Sequence, residues 1–265
     1  MVATLAACGD ASSPVPAPAK TEAPPAPQVT SAATPAPPPQ PTLARQDLVE
    51  AAAQAASSYA GGEPVSADDP LVGRPYSVRI PFGCTGPTPP GGEKAGVGHW
   101  QWSADGKTIQ LGMQPADWKG SALIGEAGAS DTWEAIEGFW IPRPWLLSNG
   151  CPAVKTDPLR NPDATSPQTL GLAAVFKAGG SRIGRRDGRA YRFTVRPEHG
   201  TPLARPAEGY RLLLEGRVEA FPSNRAIECR ASGPDQRPVC IVAARLDHVA
   251  FETPDGSVLA EWRTD

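Results

Sequence analysis

Residues 210–221 read YRLLLEGRVEAF. Leu212, Leu214, Gly216, Val218 and Ala220 fall on one face, and Arg211, Glu215, Arg217 and Glu219 on the other. Side chains alternate along a strand with a period of two, so the segment reads as a strand with one apolar and one wet face. Working outward, segments of similar texture recur between clusters of Gly, Pro, Asn and Asp: 76–82, 99–103, 107–113, 133–141, 170–178, 190–196, 226–231, 239–251 and 257–263. Short strands at this spacing predict a mainly β domain, either an antiparallel β-sandwich or a small open barrel. The last third reads as a meander with hairpin turns at PSN (222–224), SGPDQRP (232–238) and PDG (254–256). WQWSADGKTIQL (100–111) predicts a further hairpin, with Asp105-Gly106 as its turn.

Upstream of the strands the texture differs. LARQDLVEAAAQAASSYA (43–60) is Ala-rich, with Leu48, Ala51, Ala52 and Ala55 on one helical face, and Gly61-Gly62 ends it. This predicts one N-terminal helix over 43–62 and a disulfide-bonded β-rich domain over 63–265. Eleven of the 32 prolines lie between Pro14 and Pro41, among Ala, Ser, Thr and Gln. Such a stretch buries too little apolar surface to offset its ordering entropy, so 9–42 reads as a disordered tether. Pro-rich chain extends about 3.1 Å per residue, a reach of up to roughly 100 Å. The net charge is −3, with no basic block of the kind that holds nucleic acid. No run of 18 apolar residues occurs.

The five cysteines are Cys8, Cys84, Cys151, Cys229 and Cys240, with no C-x-x-C pair to suggest zinc. Cys229 and Cys240 flank a turn-forming stretch containing Gly233, Pro234 and Asp235, which favours a bridge across that hairpin. Cys84 and Cys151 then pair by elimination. Two bridges require an oxidising compartment and leave Cys8 over.

Cys8 closes the run Leu5-Ala6-Ala7-Cys8, which resembles the lipobox of bacterial envelope lipoproteins. In that family a peptidase cuts before the cysteine, whose thiol carries a diacylglycerol. The resemblance implies a remnant signal over residues 1–8, shortened to its cleavage-site end, with Cys8 as the lipidation site. It also implies a membrane anchor facing the periplasm, and Gly9 at the next position implies outer-membrane sorting in a cell with two membranes.

Two constellations carry possible chemistry. GGSRIGRRDGRAYR (179–192) holds Arg182, Arg185, Arg186, Arg189 and Arg192 against one acid, Asp187. Guanidinium forks match phosphate or carboxylate bidentately, so Arg182, Arg185, Arg186 and Arg189 are candidates for an anion-binding loop. The competing reading is a hairpin tip whose arginines pair with nearby acids. The second constellation is aromatic: Trp100, Trp102, Trp133 and Trp140 could stack on sugar rings or fill the core, and Glu134 and Glu137 stand among them. His99, His199 and His248 are far apart with no ligand spacing, and His248 reads as a satisfied, partly buried strand residue. No nucleophile elbow, zincin motif, P-loop or dinucleotide fingerprint occurs, and nothing calls for a cofactor or a metal. The expectation is a non-enzymatic, membrane-anchored envelope lipoprotein whose β domain binds a protein or an anionic envelope polymer. The alternative is a glycan-binding or glycan-hydrolysing protein using the Trp-rich face with Glu134 and Glu137.

Overall fold

The computed structural model describes residues 40–63, 69–125, 133–154, 168–182, 184–198 and 201–263. Cys8, His199 and all of the tether except residues 40–42 lie outside these. Among the described residues one helix, α1 (Arg45–Gly61), precedes eleven strands: β1 (Pro75–Phe82), β2 (His99–Trp102), β3 (Ile109–Met113), β4 (Ala116–Asp117), β5 (Trp133–Trp140), β6 (Leu170–Lys177), β7 (Tyr191–Val195), β8 (Tyr210–Val218), β9 (Ile227–Arg230), β10 (Val239–Glu252) and β11 (Val258–Arg263). The fold is mainly β, with two sheets that do not close into a barrel.

The large sheet runs β1-β8-β10-β6-β5-β4, and β9 and β11 also pair with β10. β10 is its spine. Its first half pairs with β9 and β6, and its second half with β8 and β11. Ala243 takes the Glu219 N–H on its carbonyl and donates its own N–H to Ala226, so β8 and β9 follow one another along the same flank of β10. The expected hairpin at 222–224 is therefore a loop interrupting one long strand line. A strand of 14 residues is long enough to seat two shorter partners on each edge. The hairpins β9–β10, β10–β11 and β2–β3 form where the turn residues predicted them, with Gly106 at φ 67° in the last.

A second departure is the parallel pairing of β6 with β10, where an antiparallel architecture was expected. β6 reads LGLAAVFK and is buried on both faces, the signature of a central strand. Leu170, Leu172, Ala174 and Phe176 face the main core, while Ala173 and Val175 face a second cluster with Trp118, Trp133, Ile136 and Phe221. Trp118 lies across a notch made by Gly138 and Gly171 on adjacent strands, where a Cβ would come within 2.1 and 2.4 Å of the indole.

The main core also takes Trp100, Ile109, Leu111, Met113 and Tyr191 from the small sheet β2-β3-β7, together with Leu48, Val49 and Ala52 of α1. Arg45 at the head of α1 is 1% exposed. Its guanidinium donates to the carbonyls of Pro142 at 2.8 Å, Leu146 at 3.0 Å and Arg143 at 3.1 Å, fixing the 142–146 loop. Burial and the neighbouring Arg143 lower its pKa to about 10. Disulfides join Cys84 to Cys151 and Cys229 to Cys240.

Candidate functional site

The arginine-rich stretch and the glutamates that the sequence offered as separate candidates meet on one surface. Asp187 and Gly188, at φ 50° and 76°, make a tight turn closed by the Arg189 N–H on the Arg186 carbonyl. β5 lies beneath and supplies the acids. Glu134 takes Arg182 at 2.6 Å and Arg185 at 2.9 Å, and Arg185 also reaches Asp187. Glu137 is 6% exposed, and its Oε1 accepts the backbone N–H of Arg186 at 2.7 Å and of Asp187 at 2.8 Å. Arg186 lies 4.6 Å from the centroid of the Tyr191 ring and donates to the carbonyls of Arg189 and Ala190. Arg189 donates to the Arg186 carbonyl.

The loop is thus not the free cationic surface its composition suggests. Like charges packed this closely fold against a sheet only where acids stand opposite, and β5 provides them. Both oxygens of Glu134 are engaged, whereas Glu137 is held through Oε1 and its buried Oε2 has no partner among the described residues. Burial works to raise Glu134, but Arg185 and Arg182 outweigh it and hold the carboxyl below the ordinary range. Burial raises Glu137 despite the two N–H donors. A paired acid/base in a Trp-lined cleft would need carboxyls free to face substrate. Here one is clamped by arginines and the other caps the loop.

The proposed stacking face is also corrected. Trp100 is fully buried, with its indole N–H on the Gly83 carbonyl and its ring edge-on to Trp102 and Tyr210. Trp133 is 3% exposed and packs on Phe221, and Trp140 packs edge-on to Trp118. Trp100 and Trp133 fill two separate cores, and Trp102 and Trp140, partly buried, pack against them. Trp145, on the loop held by Arg45, is the tryptophan that faces solvent, at 55% exposure.

A separate concavity lies over the outer face of the small sheet. It encloses about 530 Å³. The strand registers set two rows across its floor: His99–Gly112–Arg192, and Gln101–Gln110–Thr194. Their sheet neighbours Trp100, Leu111 and Phe193 point into the core, so alternation presents the polar partners outward. The loop before β2 adds Glu93 and Lys94 to the wall. A Cβ at Gly112 would lie 2.4 Å from the His99 Nε2, so the imidazole occupies the space a side chain there would take. The ring becomes part of the floor. Burial lowers the His99 pKa, Glu93 and the Val97 backbone oppose this, and Arg192 adds to it. Among the described residues, Arg192, Gln101, Gln110 and Thr194 have no side-chain hydrogen bond or ion pair, and Lys94 forms no ion pair.

His248 behaves as its strand position predicts. Its Nδ1 lies 2.8 Å from Glu215 and its Nε2 3.1 Å from Glu261, and Ser77 donates to Glu215. The four side chains come from β10, β8, β11 and β1 and tie these strands together. Among the described residues no His, Cys, Asp and Glu side chains gather in a group able to hold a metal ion, and no helix is long and apolar enough to cross a membrane.

No family model, curated protein or solved structure matches this chain.

Proposed function

We propose that this chain is a non-enzymatic, lipid-anchored protein of the bacterial cell envelope, and that its β domain binds an anionic envelope polymer in the groove over β2, β3 and β7. The observation that carries the anchoring is the cysteine arithmetic. Four of five cysteines are joined in two bridges, and the fifth, Cys8, stands in the lipobox-like Leu5-Ala6-Ala7-Cys8. Bridges of this kind belong to an oxidising compartment. The segment from Pro14 to Pro41, with 11 prolines, supplies a spacer between anchor and domain. For the binding role, the groove offers hydrogen-bonding side chains and a guanidinium not already spent on the fold. Against a hydrolytic role stands the engagement of both Glu134 and Glu137.

The test is an intact mass of the protein purified from membranes of its native host, before and after reduction. A diacylglycerol-sized increment on Cys8 and a gain of four hydrogens on reduction are expected. Cys8→Ala should move the protein into the soluble fraction. An unlipidated Cys8 on a soluble native chain would overturn the anchor.

A further inference from the structure

We infer that the groove over β2, β3 and β7 selects a polysaccharide that carries carboxylates, reading sugar hydroxyls with one row of its floor and a carboxylate with the other. This rests on the proposal that the groove is the ligand site, and it names the ligand class.

The row Gln101–Gln110–Thr194 reads hydroxyls. Gln101 and Gln110 are direct cross-strand partners, and Thr194 faces Gln110 from the next strand. Each amide presents donors and an acceptor side by side, and the threonine hydroxyl presents both. A sugar hydroxyl is likewise donor and acceptor, so it satisfies either end of each group. A phosphate only accepts. Set against this row, it would leave the amide oxygens desolvated and without a donor.

The row His99–Gly112–Arg192 reads charge. Arg192 is exposed, and no acid engages it among the described residues. Its planar fork takes a carboxylate bidentately. Arg192 and Thr194 sit two residues apart on β7, about 7 Å along the strand. Carboxylate and hydroxyls on neighbouring positions of one acidic sugar chain can therefore meet both rows. Lys94 and Arg192 outnumber Glu93 among the ionised groups lining the groove, so its field favours an anion. A protein partner fits less well, because protein interfaces centre on buried aromatic or aliphatic anchors, whereas this floor is amide, hydroxyl, imidazole and guanidinium.

Binding of the purified full-length chain is measured against the polysaccharide fraction of its host envelope, prepared in three forms: native, carboxyl-reduced to the corresponding alcohols, and dephosphorylated. Native and dephosphorylated polymer should bind alike, and the carboxyl-reduced polymer at least tenfold more weakly. Arg192→Ala should lose at least tenfold on native polymer and become indifferent to carboxyl reduction. Gln101→Ala/Gln110→Ala should weaken all three forms. Unchanged melting temperatures establish that these outward-facing variants fold. Loss of binding on dephosphorylation, or its persistence after carboxyl reduction, overturns the carboxylate assignment while leaving the groove as the site. No binding to any form, native binding untouched by the Arg192 and glutamine variants, or capture of a protein in place of the polymer overturns the groove as a polymer site.

Discussion

Five arginines of one 14-residue stretch end in two different situations a few residues apart. Arg182 and Arg185 are paired with acids, Arg186 is stacked on Tyr191 and bonded to carbonyls, and Arg189 closes its own turn. Arg192, on the outer face of β7, pairs with nothing among the described residues. The dense part of the cluster is largely engaged by the fold itself. Neighbouring guanidiniums repel unless acids are interleaved, so the loop docks where Glu134 and Glu137 stand. The isolated arginine has no such constraint. Local charge density in a sequence therefore measures what the fold must neutralise, and a ligand sees what is left.

The comparison breaks most severely if the loop loses its dock. Glu137→Ala removes the charged acceptor of two partly buried N–H donors and should cost about 1–3 kcal/mol, read as a lowered urea midpoint at unchanged slope. Glu137→Gln keeps an oxygen that can accept both N–H groups, and it separates the hydrogen bonds from the charge. Burial raises the folded-state pKa of Glu137, so the native state holds its proton more tightly than the unfolded chain. Its contribution to stability is fullest below the ordinary glutamate value, falls as pH rises through the raised value, and is level above it. The stability of Glu137→Gln relative to wild type should therefore climb as pH rises from about 4 towards neutrality. A difference constant with pH would show that the carboxyl titrates normally.

A smaller effect sharpens the same contrast by converting one region into the other. Glu134→Gln frees Arg182 from its acid and leaves Arg185 with Asp187 alone, without touching the Glu137 dock. The loop should then acquire weak, salt-sensitive affinity for polyphosphate that wild type lacks. That affinity should be indifferent to Arg192→Ala. Absence of any gain would mean that the guanidiniums are withheld by more than their pairing.

Much of the strand pattern was legible because alternation is local. YRLLLEGRVEAF announces its faces, and the turn residues Asp105-Gly106 and Gly233-Pro234-Asp235 announce the hairpins β2–β3 and β9–β10. Partners across long separations were not legible, because a period of two says which way a side chain points and not which strand lies beside it. β6 could not be seen to run parallel to β10, nor β8 and β9 to share an edge. The groove was missed for the same reason. His99, Gln101, Gln110, Arg192 and Thr194 are all outward positions of recognised strands, but β3 and β7 are far apart in the chain and only their pairing makes a floor. The signal available was a set of glutamines and a threonine at alternate positions in strands too short to need them. The tryptophans carried two readings because an indole suits a core and a sugar platform alike, and the buried Trp100 and Trp133 follow the core reading.

The smallest expected effect sits within the groove and concerns His99. Burial holds its pKa below the ordinary histidine value, with Arg192 acting the same way and Glu93 and the Val97 backbone opposing. The charged groups lining the groove with it are Glu93, Lys94 and Arg192. At neutral pH the ring is uncharged, and Arg192 reads the carboxylate beside a neutral imidazole. As pH falls through the lowered value, His99 gains a positive charge next to a ligand carboxylate that ionises at about 3–4. Affinity for the acidic polymer should therefore be flat from pH 8 to about 6.5 and rise a few-fold only below that. His99→Gln should remove the rise and leave the plateau. A step centred at or above the ordinary histidine value would mean that the ligand, or an acid of the groove, and not burial over Gly112, sets the protonation of His99.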